Sequence, residues 1–280
     1  MALLALPRPG SQPVSLDQPM TLISAHRGGV GQNVDLENTR EALEAANSLA
    51  CEFVEFDVQR LGDGALVLYH DDKLVCDGVE QALESFDKAR FEELAPNHLG
   101  FEDALKILAG RKRAHIDFKF RSPPELCVNP DECWEVGAAQ VAIDILGDNN
   151  LIITTLEDDS VTVMRNWARH RYPWLLVGLS LGRKVSNLSR PQAVRIRLSE
   201  LFPARRIRRC DANLIVAQKR LARIALARFA RRRKLPLLVW TVDENEELDY
   251  WLRNNRAWLV TTNFPDVAAA LRNDSRHAQT

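Results

Sequence analysis

Seven charged or titratable side chains lie at or near the ends of short apolar runs in this sequence. They are His26, Arg27, Glu55, Asp57, His70, Asp117 and Lys119. Short apolar runs of this kind are typical of buried strands. A charge beside a buried strand is unfavourable unless something compensates it, so the placement indicates a chemical role.

The three acidic residues in this set predict a metal site. Glu55 and Asp57 alternate along one run and share one face of a strand, while Asp117 shares a face with Lys119 in a later run. Crowded carboxylates need a compensating cation. Because oxygen ligands suit a hard divalent ion, we expect Glu55, Asp57 and Asp117 to bind Mg²⁺ or Ca²⁺. A simple salt bridge between Asp117 and Lys119 is the alternative.

The basic residues indicate what binds beside that metal. Arg27 and Lys119 add a surplus of positive charge, which suits a phosphate group. Imidazole titrates near neutral pH, so His26 and His70 can form a general acid and base pair. The set predicts cleavage of a phosphodiester. A lone histidine is more often a structural residue, and the hypothesis rests on the two lying together beside the acids.

Apolar runs alternate with segments of helical periodicity along the chain, which is typical of a parallel sheet with crossover helices. The predicted strands are residues 22–25, 53–58, 65–69, 114–118, 151–155, 175–180, 212–216, 237–240 and 258–262. The predicted helices lie around residues 38–50, 101–110, 131–147, 156–170, 190–201, 217–233, 243–255 and 265–272.

Only residues 61–64 separate the second and third predicted strands, which suits a hairpin. A turn centred near Asp63 and Gly64 would place His70 opposite Asp57. Without the return arm, eight strand and helix units remain, which predicts an α/β fold of the (β/α)8 TIM-barrel type with a short insertion at about residues 71–100. Such a barrel carries its active site at the carboxyl ends of the strands. A doubly wound open sheet is the alternative.

Composition excludes several classes of protein. The 280 residues are 46% hydrophobic with a net charge of −1, so no overall field attracts nucleic acid or an anionic membrane. We expect one barrel domain over residues 21–280 after a loose arm at residues 1–20. No apolar run is long enough for a membrane span. Five cysteines without a C-x-x-C pair favour reduced thiols and a cytoplasmic location. The oligomeric state stays open.

Several motifs occur in a specific order between about residues 22 and 272. They are HRG (26–28), LENT (36–39), an E-x-D strand, D-G-x-x-V-x-x-H-D (63–71), a later D-x-K, VWTVDENEEL (239–248) and VTTNFPD (260–266). This order resembles the glycerophosphodiester phosphodiesterase family. The resemblance implies a TIM barrel, a metal held by three acids and two catalytic histidines. It further implies hydrolysis of glycerophosphodiesters to glycerol 3-phosphate and an alcohol, with Trp240 lining the substrate pocket.

Two departures from the family pattern leave the substrate open. The family usually has glutamate at the position of Asp117, and aspartate there resembles the related sphingomyelinase-type phospholipases D. The segment after His70 and Asp71 lacks an Arg-Thr element that is common in the family. The alternatives are therefore a phospholipase D acting on lysophospholipids or sphingolipids, and a catalytically silent barrel that binds membranes.

Three further residues have structural as well as functional interpretations. Glu37 is expected to cap a helix or to pair with Arg27 rather than to bind the metal. His115 shares a strand face with Asp117, but we expect a packed histidine rather than a functional one. Trp240 is equally compatible with a place in the core.

A basic segment is not explained by the phosphodiesterase hypothesis. Residues 204–234 contain twelve arginines and lysines and a single acid, Asp211. An outer barrel helix with a solvated basic face is the simpler interpretation. The alternative is peripheral membrane contact through residues 217–234. Nucleic acid is disfavoured, because few aromatic residues lie among these charges.

Overall fold

The structure is a computed structural model that describes residues 20–76, 78–186 and 188–277, so the predicted arm lies outside the described residues except for Met20. Eleven strands are present in these ranges. They are β1 (Leu22–Ala25), β2 (Phe53–Arg60), β3 (Leu66–Leu68), β4 (Lys73–Cys76), β5 (Val79–Ala82), β6 (Arg113–Phe118), β7 (Leu151–Thr155), β8 (Leu176–Leu181), β9 (Leu214–Gln218), β10 (Leu237–Trp240) and β11 (Leu259–Thr262).

Eight of these strands form a closed parallel ring. The order is β1, β11, β10, β9, β8, β7, β6 and β2, and β2 pairs with β1 to close it. The closed ring confirms the predicted TIM barrel and excludes the doubly wound alternative. Strand β3 runs antiparallel to β2 as the predicted hairpin arm. A small hairpin of β4 and β5 follows it within the predicted insertion.

Helices surround the ring on its outer side. They are α1 (Arg40–Ala46), α2 (Lys88–Leu94), α3 (Phe101–Leu108), α4 (Trp134–Leu146), α5 (Asp158–Arg171), α6 (Arg190–Leu201), α7 (Ala204–Cys210), α8 (Lys219–Leu221), α9 (Ala227–Arg233), α10 (Asn245–Leu252) and α11 (Pro265–His277). A π-helical turn, Ala222–Leu226, joins α8 to α9. Within the described ranges, each helix is too short or too polar to cross a membrane.

The strands have two different faces. Residues such as Ile23, Val54 and Ile116 point outward and pack in one large cluster with the helices. The inner face is apolar at the amino-terminal end of the barrel, where a separate cluster includes Phe53 and Trp258. Because side chains alternate along a strand, the inner face continues from Phe53 to Glu55 and Asp57. The barrel interior therefore becomes polar toward the carboxyl ends of its strands.

The loop between β6 and α4 is fixed by a buried glutamate. Glu135 is fully buried and accepts hydrogen bonds from the Ser122 amide and from the hydroxyls of Ser122 and Ser160. The Cys133 thiol donates to the same carboxylate at 3.0 Å. Burial alone would raise the pKa of Glu135, but the bonds from Ser122 and Ser160 lower it below its ordinary value. This Glu135 cluster joins the loop to α4 and α5.

Candidate active site

A tight turn after β1 brings the first two functional residues to the mouth of the barrel. Arg27 has a φ of 47°, in the left-handed region, and Gly28 follows with a φ of 94°. A side chain at Gly28 would place its Cβ 2.7 Å from the Cβ of Ala42 on α1. Only glycine fits there, so Gly28 of the HRG motif lets the chain turn closely against α1.

The three predicted metal ligands converge at this mouth. Glu55 and Asp57 on β2 and Asp117 on β6 each offer a carboxylate oxygen within 4.8 Å of the others. Neighbouring strands hold them, because Asp57 pairs directly with Asp117 in the register of β2 and β6. Glu55 and Asp57 are buried, whereas the Asp117 side chain is 15% exposed. The structure thus brings all three acids together.

Two cations lie against these acids. Lys119 forms ion pairs with Asp117 and, at 2.9 Å, with Asp57. Arg27 Nε lies 2.8 Å from Asp57 Oδ2, and the Arg27 amide donates to Glu55 Oε2 at 2.8 Å. The salt bridge between Asp117 and Lys119 that was the simpler alternative is present, but it belongs to a larger group. Five charged side chains share one site.

The electrostatics of this group separate the acids. Burial and the neighbouring charge of Asp57 raise the pKa of Glu55 well above its usual value. Burial would raise the pKa of Asp57 as well, but Lys119 and Arg27 hold it below the usual range. Three carboxylates face two cations, so Glu55 is the acid whose charge lacks full compensation.

Glu37 and Asn38 support the site from the LENT motif. Glu37 pairs with Arg27 at 2.5 Å, as expected. Asn38 donates to Asp57 Oδ2 at 3.1 Å and accepts from the Asp57 amide at 3.0 Å. Asn38 is buried with a φ of 60°. Sequence reasoning missed this residue. The asparagine in LENT was a possible signal, because asparagine tolerates the left-handed backbone conformation better than most residues.

His26 is oriented by residues from the other end of the chain. Its Nδ1 lies 2.8 Å from Asn263 Oδ1, and Asn263 Nδ2 donates to Asp243 at 3.0 Å. Asp243 only accepts, so the amide nitrogen of Asn263 must face it and the amide oxygen must face His26. His26 therefore carries its proton on Nδ1, and its Nε2 lies 4.0 Å from Glu55 Oε2. Burial and Arg27 lower the pKa of His26.

His115 lies inside the barrel and is hydrogen-bonded on both ring nitrogens. Its Nε2 contacts Thr154 Oγ1 at 3.1 Å, and its Nδ1 contacts Ser24 Oγ at 3.3 Å. The Thr154 hydroxyl donates to Asp117 at 2.6 Å. Burial lowers the pKa of His115 to about 3, so it is a neutral histidine that supports Asp117 through Thr154. The expectation that His115 is a packed histidine fits, and its hydrogen bond to Thr154 connects it to Asp117 as well.

His70 is placed differently from the prediction. In the register of the hairpin Val58 pairs with Leu68, so Tyr69 lies opposite Asp57 and donates its amide to the Asp57 carbonyl at 3.2 Å. The prediction that His70 lies opposite Asp57 is wrong by one residue, because the register centres the turn on Asp63 and not between Asp63 and Gly64. The His70 side chain is 45% exposed and contacts Asp71 at 2.7 Å.

The position of His70 still lies near the acids. The side-chain amide of Gln59 donates to the carbonyl oxygens of His70 and Asp71, which fixes the backbone at the rim. The positive form of His70 also helps to lower the pKa of Asp57, after Lys119 and Arg27. His26 and His70 thus lie at the same mouth, one buried beside Glu55 and one on the rim.

Trp240 ends β10 on the inner face of the barrel and is only partly buried. Its indole Nε1 is buried and lacks a hydrogen-bond partner among the described residues. The Cβ of a side chain at Gly182, just beyond β8, would contact its ring at 3.4 Å. Trp240 therefore forms part of the wall between β8, β9 and β10, and it packs against the inner apolar cluster as well.

The arrangement of motifs is specific enough to compare with known families. The model of the glycerophosphoryl diester phosphodiesterase family matches residues 26–267. This chain belongs to that family. The match includes every motif from the HRG turn after β1 to the residues after β11 that orient His26.

Curated relatives within the family match only in part. A lysophospholipase D from Mus musculus is 40% identical over 73 residues, which are 26% of this chain and 21% of that protein. A glycerophosphocholine phosphodiesterase from Eremothecium gossypii is 34% identical over 91 residues, which are 30% of this chain and 7% of that protein. The chain therefore matches about a fifth of one relative's length and less than a tenth of the other's.

Solved structures of other phosphodiesterases share the fold over nearly their whole length. A glycerophosphodiester phosphodiesterase from Parabacteroides distasonis superposes with a TM-score of 0.70 at 17% identity, covering 91% of this chain and 98% of that one. A phosphodiesterase from Oleispira antarctica in complex with the product sn-glycerol-3-phosphate gives 0.65 at 15% identity, covering 91% and 97%. At these identities the likeness concerns the barrel alone.

The donor set fits the divalent metal that the family implies. Glu55, Asp57 and Asp117 offer only carboxylate oxygens, as a hard ion prefers. Burial and the charge of Asp57 raise the pKa of Glu55 despite Arg27 and Lys119, so a further cation beside this carboxylate would stabilise its charged form. These three residues can therefore hold Mg²⁺ or Ca²⁺.

Proposed function

We propose that the protein hydrolyses glycerophosphodiesters to glycerol 3-phosphate and an alcohol. One observation carries the proposal: Glu55, Asp57 and Asp117 lie within 4.8 Å of one another at the barrel mouth, with Arg27 and Lys119 in contact with them. Carboxylates alone would repel a phosphodiester. The two cations at the same site attract the negatively charged phosphodiester.

Arg27 and Lys119 are the proposed phosphate-binding residues. Both already lie beside Asp57, at 2.8 and 2.9 Å, so they are held at the mouth before substrate arrives. Such preorganised cations stabilise the negative charge that develops on phosphoryl oxygens during cleavage. A divalent ion held by Glu55, Asp57 and Asp117 would supply further charge neutralisation to the phosphate.

His26 and His70 are the proposed acid and base pair. Because the Nδ1 proton of His26 points to Asn263, its Nε2 is free to accept a proton from the attacking hydroxyl. That hydroxyl belongs to water, or to a neighbouring position of the substrate. In the second case the first product is a cyclic phosphate, which a water molecule then opens to glycerol 3-phosphate. Its oxygen forms the new bond to phosphorus, and the bond to the leaving oxygen breaks. His70, at the rim, gives the departing alkoxide its proton.

A lysophospholipid is the second candidate substrate. The aligned segment of the Mus musculus relative, named a lysophospholipase D, favours it. Trp240 supplies an apolar wall at the mouth. We also propose a cytoplasmic location, which the five free cysteines support.

Turnover assays test this function directly. The purified protein is incubated with glycerophosphocholine, glycerophosphoethanolamine and a lysophospholipid, each in EDTA, Mg²⁺ or Ca²⁺. We expect glycerol 3-phosphate from the first two substrates, loss of activity in EDTA, and recovery with a divalent ion. Full activity in EDTA with no bound divalent metal would rule out the proposed carboxylate site. Choline release from the lysophospholipid alone would favour the second candidate.

A further inference from the structure

Helix α6 exposes a row of large apolar side chains. Val194 is 58% exposed, Leu198 51% and Phe202, directly after the helix, 73%. Their spacing of four residues places them along one side of the helix. Leu188, just before the helix, is exposed as well. Scattered apolar residues on a surface are common, but a continuous row on one helix indicates contact with something apolar.

The helix is not held by burial of its own apolar residues. Its one buried residue is Glu200. Helix α4, by contrast, buries seven residues, and six of them are apolar, such as Val136 and Ile143. Most of α6 therefore lies on the surface of the barrel, and its apolar row faces outward. This is the pattern of a helix that lies along an interface.

Four cations lie within helix α6 or in the segments directly before and after it. Lys184, Arg190, Arg195 and Arg205 are exposed, and within the described ranges none of them forms an ion pair. Arg190 lies four residues before Val194, and Arg195 lies three before Leu198, so both flank the row directly. The acid in this part of the chain, Glu200, is buried and paired with Arg197. We name the apolar row and these four cations the α6 surface.

The α6 surface is attached next to the mouth of the barrel. Glu200 Oε1 accepts hydrogen bonds from the amides of Gly182 and Arg183, both at 2.8 Å, and these residues come directly after β8. Gly182 is the position where a Cβ would contact the Trp240 ring at 3.4 Å. The last turn of α6 is therefore bonded to the segment that borders the candidate substrate pocket.

From these observations we propose that the α6 surface docks the protein on an anionic phospholipid bilayer with the barrel mouth toward the membrane. The cations complement the charge of the lipid headgroups, and Val194, Leu198 and Phe202 enter the boundary between headgroups and acyl chains. The position beside Trp240 would bring lipid headgroups to the mouth. The inference goes beyond the proposed function, and vesicle binding tests it without any turnover.

This surface differs from the basic helix that the sequence singled out. Helices α8 and α9 run from the carboxyl end of β9 at the mouth to the start of β10 at the opposite end. Arg223 contacts Glu247 at 4.0 Å and stacks on Tyr250. A membrane facing the mouth leaves Arg228 and Arg231 distant from the lipid. The two basic regions therefore make opposite predictions for the same variants.

The test compares two charge reversals of equal size. The full chain carrying Arg190→Glu and Arg195→Glu, and the matched variant with Arg228→Glu and Arg231→Glu, are sedimented with phosphatidylcholine vesicles with and without phosphatidylglycerol. We expect the native chain to bind the anionic vesicles. The affinity of the first variant for the anionic vesicles should fall by at least roughly tenfold, and the second variant should bind as the native chain does. The circular dichroism spectrum and the melting temperature serve as the folding controls for both variants.

Other outcomes overturn the proposal. Failure of the native chain to bind, or loss of binding in the Arg228 and Arg231 variant alone, would exclude the α6 surface. Equal loss in both variants would indicate a response to net charge only. A second double variant, Leu198→Ser with Phe202→Ser, should weaken the binding that remains in high salt. If this variant instead converts a dimer into a monomer by light scattering, the surface binds a second copy and not a membrane.

Discussion

Two groups of buried carboxylates in this barrel show opposite ways of accommodating charge. Glu135 lies in the first turn of α4. It accepts hydrogen bonds from neutral hydroxyl, thiol and amide groups of Ser122, Cys133 and Ser160. At the mouth, Glu55 and Asp57 lie beside each other and Asp117, with cations as their main partners.

The pKa values of the two groups differ for this reason. Neutral donors lower the pKa of Glu135, so its negative form is stable without a cation beside it. At the mouth, burial and then the neighbouring charge of Asp57 raise the pKa of Glu55. A satisfied carboxylate stabilises a fold, whereas an incompletely compensated one is available to bind a cation. The comparison predicts that one group controls stability and the other activity.

The largest effect is expected from neutralising the mouth. Glu55→Gln or Asp57→Asn should lower turnover of glycerophosphocholine by about 10³ or more, because the metal loses a charged ligand and the phosphate loses the positive charge of that metal. The melting temperature of Glu55→Gln should stay unchanged or rise, since a raised pKa means that the charge of Glu55 opposes folding. Steady-state kinetics and calorimetry measure both.

The matched control for Glu55 is Glu52, three residues earlier at the opposite end of the barrel. Glu52 accepts from the Ile23 amide at 2.8 Å and pairs with Arg272 at 3.1 Å. Glu52→Gln should cost stability and leave kcat near the native value. If Glu52→Gln and Glu55→Gln affected kcat alike, position at the mouth would not matter and the comparison would fail.

A large stability effect is expected at Glu135. Glu135→Gln replaces an acceptor by an amide group that donates, so at least one of the surrounding donors loses its partner. We expect the free energy of unfolding to fall by about 1–3 kcal/mol, with kcat unchanged at temperatures where the variant is folded. Urea unfolding measures the change. The exposed Glu132→Gln, on the same loop, should have almost no effect, and equal losses in the two variants would contradict the role of the buried network.

A smaller effect on rate is expected from Asp243. Asp243→Asn removes the acceptor that orients the amide of Asn263, so His26 loses its fixed tautomer. We expect kcat to fall roughly tenfold to a hundredfold with a similar KM. Asp249→Asn, on the surface of α10 and paired with Arg253, is the control. An unchanged kcat in Asp243→Asn would mean that His26 needs no orientation from this chain of residues.

The smallest effect concerns acid stability. In the folded protein the pKa of Glu135 is lowered below its ordinary value of 4.5. Its contribution is therefore complete above about pH 4.5 and decreases as the pH falls through the lower, folded pKa. The difference in unfolding free energy between the native chain and Glu135→Gln should shrink over that window. A difference that stays constant down to pH 3 would show that Glu135 is not ionised in the fold.

Sequence reasoning located most strands and several helices to within two residues. Strands β1, β7 and β10 and helix α6 have the predicted bounds. Local periodicity is enough for these elements, because each buries one side against a continuous core. The hairpin of β4 and β5 and helices α2 and α7 were missed. These elements depend on how the insertion packs and on the crossover between β8 and β9, which contains two helices. Their sequences therefore show only weak hydrophobic periodicity.

The sequence by itself determined the kind of chemistry, because residue types at strand ends, such as Glu55, Asp57 and Lys119, are local information. Only the tertiary structure decided which of their atoms meet. It joined Asn38 to Asp57, joined His26 to residues 237 positions away, and moved His70 to the rim. These outcomes depend on strand register and on closure of the barrel, where a shift of one residue turns a side chain to the other face.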